Sequence, residues 1–214
     1  MAGRGGVRGF CRAARPARAG AVSAGAMRLG HKNFAHMDKV LGRCFIGTSG
    51  WSYAHWGGGR FYPKGLDRGK WLPFLAEHFD TVEVNSTFYR LPEPEVVRRW
   101  RQAVGRHFRF AVKLWRQVTH LKQLSGAGLE LRQFLEAVRP LRPRHGALLV
   151  QLPPSLSRNL ALLDEFLGEF GDAMGRSRWP VAVEFRHPDW IDDSVYSLLD
   201  RYGAAVVLAD MPRC

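Results

Sequence analysis

From Cys44 onward the chain alternates short apolar runs with longer stretches whose apolar residues recur three and four positions apart. That rhythm predicts strands followed by helices, hence βα units and a parallel sheet of the α/β class. Strands are expected at 44–49, 81–86, 109–114, 147–152, 181–185 and 204–209, and helices at 69–79, 94–104, 129–138, 160–170 and 193–202. In the fourth helix Leu160, Leu163, Phe166, Leu167 and Phe170 form one apolar stripe, and the fifth has Asp192 placed as an N-cap with Gly203 just past its end,. Two connections, 50–68 and 115–128, are long and follow strand C-termini, the end at which parallel α/β folds build their sites,. The first is rich in Trp51, Tyr53, Trp56, Phe61 and Tyr62, which fits either a substrate lid or aromatic packing across the mouth of the sheet,.

Within each strand, successive side chains point to opposite faces. Val82 and Val84 therefore oppose Thr81, Glu83 and Asn85; Phe108, Phe110 and Val112 oppose Arg109, Ala111 and Lys113; Val181, Val183 and Phe185 oppose Ala182, Glu184 and Arg186. Thr48 and Ser49 close the first strand, and Gln151 and Asp210 hold the same late position in two others. If the apolar face meets the helices, the polar face lines a barrel, and Glu83, Asn85, Lys113, Gln151, Glu184, Arg186 and Asp210 converge at its C-terminal mouth. A charge on a buried face is costly unless it is paired, hydrogen-bonded or used.

Three roles suit these residue types. Glu83 and Glu184 beside Lys113 could act as general acid or base, which makes these three the catalytic candidates. Arg186 and Lys113 could hold a phosphate or carboxylate. Glu83, Glu184, Asp210, His120 and His187 could ligate a divalent metal, although no His-x-x-x-His motif supports one,. Ser49, Trp51, Tyr53, Asn85, Tyr89, His120, Gln151, Arg186, His187 and Asp210 are the binding candidates. The plainer alternative is an ion-pair network that only specifies packing, but barrel interiors are usually filled by branched apolar residues. His55, His78, His107 and His145 read as surface or packing residues. No Walker loop and no Gly-x-Gly-x-x-Gly follows a strand, so the usual nucleotide folds lose their support,.

Composition and charge refine this picture. The 214 residues are 46% hydrophobic and 12% aromatic, as expected of a globular chain,. Of the +13 formal charge, seven units sit in residues 1–37, which carry no acidic residue, so the remainder of the chain is only mildly basic. That balance is compatible with nucleic acid without requiring it, and clusters such as Arg98, Arg99 and Arg101 or Arg139, Arg142 and Arg144 read first as solvated helix faces. The three cysteines, Cys11, Cys44 and Cys214, have no metal-ligand spacing and point to a reducing, cytoplasmic compartment,. No run approaches the roughly 20 apolar residues of a membrane span. Residues 1–40 read as a disordered basic leader or an upstream extension, because Met37 leads straight into the first strand as MDKVLGRCFIGTSGW. The folded domain is expected over 41–214.

The segments IGTSGWSYAHW at 46–56, FYPKGL at 61–66, VEVNSTFYRLP at 82–92, FRFAVK at 108–113, VTHLKQL at 118–124, LLVQLPPS at 148–155 and VEFRHPDW at 183–190 resemble the YecE-like family, a widespread domain of unknown function. The resemblance implies a (β/α) TIM-like barrel and leaves the reaction open. Endonuclease-four and sugar-isomerase barrels are similar in architecture, which is analogy of fold alone. A closed barrel needs eight strands, whereas Cys214 follows the sixth, so the barrel is expected to be incomplete, with open edges on its first and last strands and a truncated reading frame behind it,. The leading expectation is an enzyme using acid/base or metal-assisted chemistry on a small polar or phosphorylated substrate. A nucleic-acid-binding or processing protein is the alternative, and a non-catalytic binding barrel the third; oligomeric state is left open. Mass spectrometry of the native protein is expected to find no peptides from residues 1–36; their intact recovery would rule out the start at Met37.

Overall fold

The computed structural model describes residues 7–11, 43–175 and 179–210. One sheet organises them, in the spatial order β1 (Val7–Cys11), β2 (Cys44–Ser49), β3 (Thr81–Val84), β4 (Arg109–Lys113), β5 (His145–Gln151), β6 (Val181–Glu184) and β7 (Ala205–Val206). Strands β2 to β7 run parallel, each beside its successor in sequence, and curl into an incomplete TIM-like barrel. Strand β1 pairs antiparallel with β2, in the register Val7 opposite Thr48 and Cys11 opposite Cys44.

Three findings adjust the expected pattern. The edge of the first parallel strand, expected to be open, is taken by Val7–Cys11, whose backbone supplies the hydrogen-bonding row that an edge strand otherwise presents to solvent,. The other residues of the expected leader lie outside the described residues. The last strand is two residues rather than six, because only β6 flanks it among the described residues and there is no ladder on its far side to extend it. Finally, the third strand of the sheet stops at Val84, and Ser86–Tyr89 turns at once into a short helix, α2.

The helices connecting these strands are α1 (Trp71–Ala76), α3 (Pro94–Gln102), α4 (Gly128–Val138), α5 (Leu160–Met174) and α6 (Asp193–Tyr202). Their local chemistry matches the sequence signals. Asn159 caps α5 by accepting from the Leu162 amide at 3.0 Å, and Asp192 caps α6 by accepting from the Ser194 amide at 2.9 Å,. Gly203 ends α6 at φ +62°, a left-handed conformation that costs glycine little,. The stripe of α5 is buried at Leu163, Phe166, Leu167 and Phe170 and packs into the same core as Leu131 and Phe134 of α4 and Leu198 of α6.

The sheet meets this core with one face only. Val82, Val84, Phe110, Val112, Leu148, Val150 and Val183 are all fully buried, and all lie on the alternation predicted to face the helices,. Gly47 lets β2 approach β3, since a Cβ there would sit 2.1 Å from the Thr81 carbonyl oxygen. Truncating this layer leaves a cavity: Phe110→Ala is expected to destabilise the fold by about 3–5 kcal/mol. The check is a lower denaturant midpoint at unchanged slope in equilibrium unfolding.

Candidate functional site

The remaining face carries the polar residues, and register determines which of them meet. Ser49 pairs with Glu83 across β2 and β3, and Gln151 with Glu184 across β5 and β6. Lys113 ends β4 one pleat beyond Ala111, the partner of Glu83, so it is a diagonal neighbour of that carboxylate on the adjacent strand,. All five stand at the C-terminal ends of their strands.

Two linked groups result. In the first, the Asn85 side-chain amide donates to Ser49 Oγ at 2.8 Å, and Ser49 Oγ donates to Glu83 Oε1 at 2.9 Å. This chain aims a donor at one oxygen of a carboxylate that is 2% exposed. Asn85 does so from the turn after β3, and the Glu83 carbonyl is itself held by the Gly50 amide at 2.9 Å. In the second, Lys113 Nζ donates to Gln151 Oε1 at 2.8 Å, and Arg186 reaches the same oxygen at 3.5 Å while its guanidinium pairs with the fully buried Glu184 carboxylate. A neutral amide oxygen thus draws two cations to within a few ångströms of each other. Lys113 and Arg186 are only half-buried, so the charges are layered, with carboxylates beneath and cations toward the surface.

An aromatic wall borders the cations. Lys113 Nζ lies 4.5 Å from the centre of the Phe88 ring, a cation–π contact, and His120 packs edge-on against that ring at 4.8 Å,. His120 belongs to a single π-helical turn, Gln117–Leu121, and its Nδ1 shares a hydrogen bond of 2.9 Å with the buried Thr119 hydroxyl. Burial, reinforced by the charges of Lys113 and Arg116, lowers the His120 pKa and favours the neutral imidazole,. The Thr87 hydroxyl donates within reach of the carbonyls of both Val84 and Lys113, at 3.0 and 2.8 Å, tying α2 to the end of β4. Phe88, Thr87 and Thr119 were not singled out from sequence; the run NSTFY directly after the polar strand was the available signal.

The first long loop is packed rather than poised. Tyr62 is fully buried, stacks on Trp71 at 4.4 Å and donates its hydroxyl to the Trp51 carbonyl at 2.6 Å, and burial raises its pKa to about 12. Trp51 packs edge-on against Trp100 at 5.6 Å, and Trp56 sits among Tyr53, Phe61 and Tyr62. Tyr53 reaches the site, donating its hydroxyl to the Ser49 carbonyl. Three sequence candidates stand apart. Tyr89 is 68% exposed, its ring edge-on to Phe88; Asp210 is exposed beyond the end of β7; His187 caps the turn after Arg186, accepting from the Asp189 amide at 3.3 Å. Among the described residues no three His, Cys, Asp or Glu side chains gather to hold a metal ion, so Glu83, Glu184, Asp210, His120 and His187, which could have supplied ligands, do not form a set of three. Among the same residues no helix is long and apolar enough to cross a membrane.

Comparison with known proteins places this arrangement. Residues 45–214 match the family model described as protein of unknown function DUF72. The UPF0759 protein YecE of Escherichia coli K12 is 35% identical over 151 residues, which are 68% of this chain and 49% of that protein. The chain thus spans about half the length of the curated relatives it matches. A crystal structure of a DUF72 family protein from Thermotoga maritima is similar at 27% identity and a TM-score of 0.65, covering 78% of this chain and 64% of that one. Another, from Enterococcus faecalis, gives 26% identity and a TM-score of 0.56 over 67% and 60%. The match begins inside β2 and takes in every parallel strand and all the polar residues just described: the chain belongs to the DUF72, or YecE-like, family, whose function is not established.

Proposed function

We propose that the C-terminal end of the concave face binds a small polar, phosphorylated or carboxylated molecule and acts on it by acid/base chemistry. One observation carries the reading: Lys113 and Arg186 converge on a single amide oxygen at the surface while Glu83 and Glu184 lie buried behind them. A network serving packing alone would gain most by burying every member. Here the cations keep solvent-facing surface and can exchange Gln151 for a ligand oxygen, Arg186 with two parallel donors and Lys113 as a point charge. Glu184 holds the guanidinium in place. Glu83, fixed by Ser49 and Asn85, is the group positioned to take a proton from the bound molecule or return it. Neutral His120, against the same aromatic ring as Lys113, is the second proton carrier. The reading requires no metal, and the three cysteines, odd in number, favour the cytoplasm,.

Inorganic phosphate is the simplest probe. Lys113→Met and Arg186→Met are each expected to weaken its binding at this site by about tenfold in calorimetry. Glu83→Gln should leave that binding within about twofold while abolishing turnover of whichever phosphorylated substrate a metabolite screen identifies. A Glu83→Gln protein that is more stable and unchanged in every binding measurement would instead make the network a packing device.

His120 supplies a pH test. Its pKa is lowered in the fold, so the neutral ring favours folding, and the contribution is present above the ordinary value of about 6.5 and lost as pH falls through the folded value,. Proton NMR should find the ring titrating below that ordinary value, and Lys113→Met should move the titration upward by removing one of the repelling charges.

A further inference from the structure

The opposite end of the same concave face carries a second cationic group, distant from the mouth. Arg43 precedes β2 by one residue and shares the alternation of Ser49; Arg109 opens β4 in register with Thr81, on the face of Glu83. Arg144 comes directly before β5, and its carbonyl accepts from the Phe110 amide at 2.9 Å, which sets it beside Arg109 across the strands. Arg109 and Arg144 thus stand on adjacent strands, about 5 Å apart, and Arg43, across β3 at the start of β2, lies close enough for its charge to act on Arg109.

Among the described residues, the contacts of these arginines are with neutral groups. Arg109 donates to the carbonyls of Arg106 and Phe108, at 2.8 and 3.0 Å, and Arg43 lies over the Phe45 ring at 4.9 Å. Among the described residues no carboxylate forms an ion pair with any of the three, and no acceptor reaches the buried Nε of Arg144. The acidic residue at this end of β3, Asp80, falls on the alternation of Val82 and Val84, which faces the helices. Burial first, and then the like charges of Arg43 and Arg144, lower the pKa of Arg109, so the three guanidinium groups lie close enough to repel one another,. A stable fold tolerates such a group most easily when an anion completes it.

We propose that Arg43, Arg109 and Arg144 form an anion site at the N-terminal end of the concave face, separate from the mouth, which takes a phosphate group. Guanidinium forks suit the several oxygens of phosphate better than a single carboxylate, and the half-burial of Arg109 and Arg144 strengthens their contacts,. The phosphate could belong to a small molecule or to a nucleic-acid backbone, and the test separates the two.

Calorimetry with pyrophosphate on the full chain is expected to show two sites, of which Arg109→Gln/Arg144→Gln removes one and Lys113→Met/Arg186→Met the other. An affinity loss of about tenfold at the arginine site is expected from the exposed Arg43→Gln alone, a substitution that leaves the core untouched. In phosphate-free buffer, Arg109→Gln should unfold at a higher temperature than the wild type, and added pyrophosphate should stabilise the wild type more than the variant. Competition by a mixed-sequence oligonucleotide, with affinity falling steeply as salt rises and lost in the arginine variants but not in Arg98→Gln/Arg99→Gln, would assign the phosphate to nucleic acid; displacement by pyrophosphate alone would assign it to a small molecule. Unchanged pyrophosphate stoichiometry in Arg109→Gln/Arg144→Gln, or destabilisation by Arg109→Gln with no pyrophosphate effect on either protein, would overturn the proposal, whatever becomes of the site at the mouth.

Discussion

Everything in this fold rests on the division of the sheet into two faces. The helix-facing side is sealed by Val82, Val84, Phe110, Val112, Leu148, Val150 and Val183, none of which retains solvent-accessible surface. Side chains alternate with a period of two, so Glu83, Lys113, Gln151 and Glu184 are driven to the other face,. Five strands doing this together concentrate charge on a concave surface. Fully burying Glu83 and Glu184 there costs several kcal/mol per ion unless donors surround them, which is why a serine backed by an asparagine, and an arginine, are recruited,. The polar network follows from the packing of the opposite face.

The two ends of the concave surface solve the same electrostatic problem differently. At the C-terminal end, acids and bases are interleaved: Glu184 answers Arg186, and Ser49 satisfies one oxygen of Glu83. At the N-terminal end, Arg43, Arg109 and Arg144 meet only carbonyls and an aromatic ring among the described residues. One end pairs acids with bases among its own residues. The other carries excess positive charge among the described residues.

The aromatic loop after β2 supports the first end mechanically. Tyr62, stacked on Trp71 and bonded to the Trp51 carbonyl, anchors the loop to α1, while Tyr53 reaches back to the Ser49 carbonyl. Ser49, which carries the hydrogen bond to Glu83, is therefore gripped from both sides. On the other flank Thr87 fastens α2 to the carbonyl of Lys113 and so keeps Phe88 over the ammonium. Rigid aromatic packing offers a fixed geometry to side chains that would otherwise be long and mobile.

Much of this was legible in the chain itself. Alternation in TVEV, RFAVK and VAVE decided which residues face the helices and which the concavity, and the stripe of α5 and the caps Asp192 and Gly203 fixed the helices, because each depends on neighbours within a few residues,. Alternation also nominated Glu83, Lys113, Gln151, Glu184 and Arg186. It could not show that Lys113 and Arg186 meet on one amide oxygen, that Tyr89, His187 and Asp210 stand apart, or that Phe88 belongs beside the ammonium. Nor could it show that Arg43, Arg109 and Arg144 gather at the far end, or that Val7–Cys11 occupies the edge of β2. Those contacts join residues tens of positions apart, and only the register between strands and the path of the loops sets the distance between them.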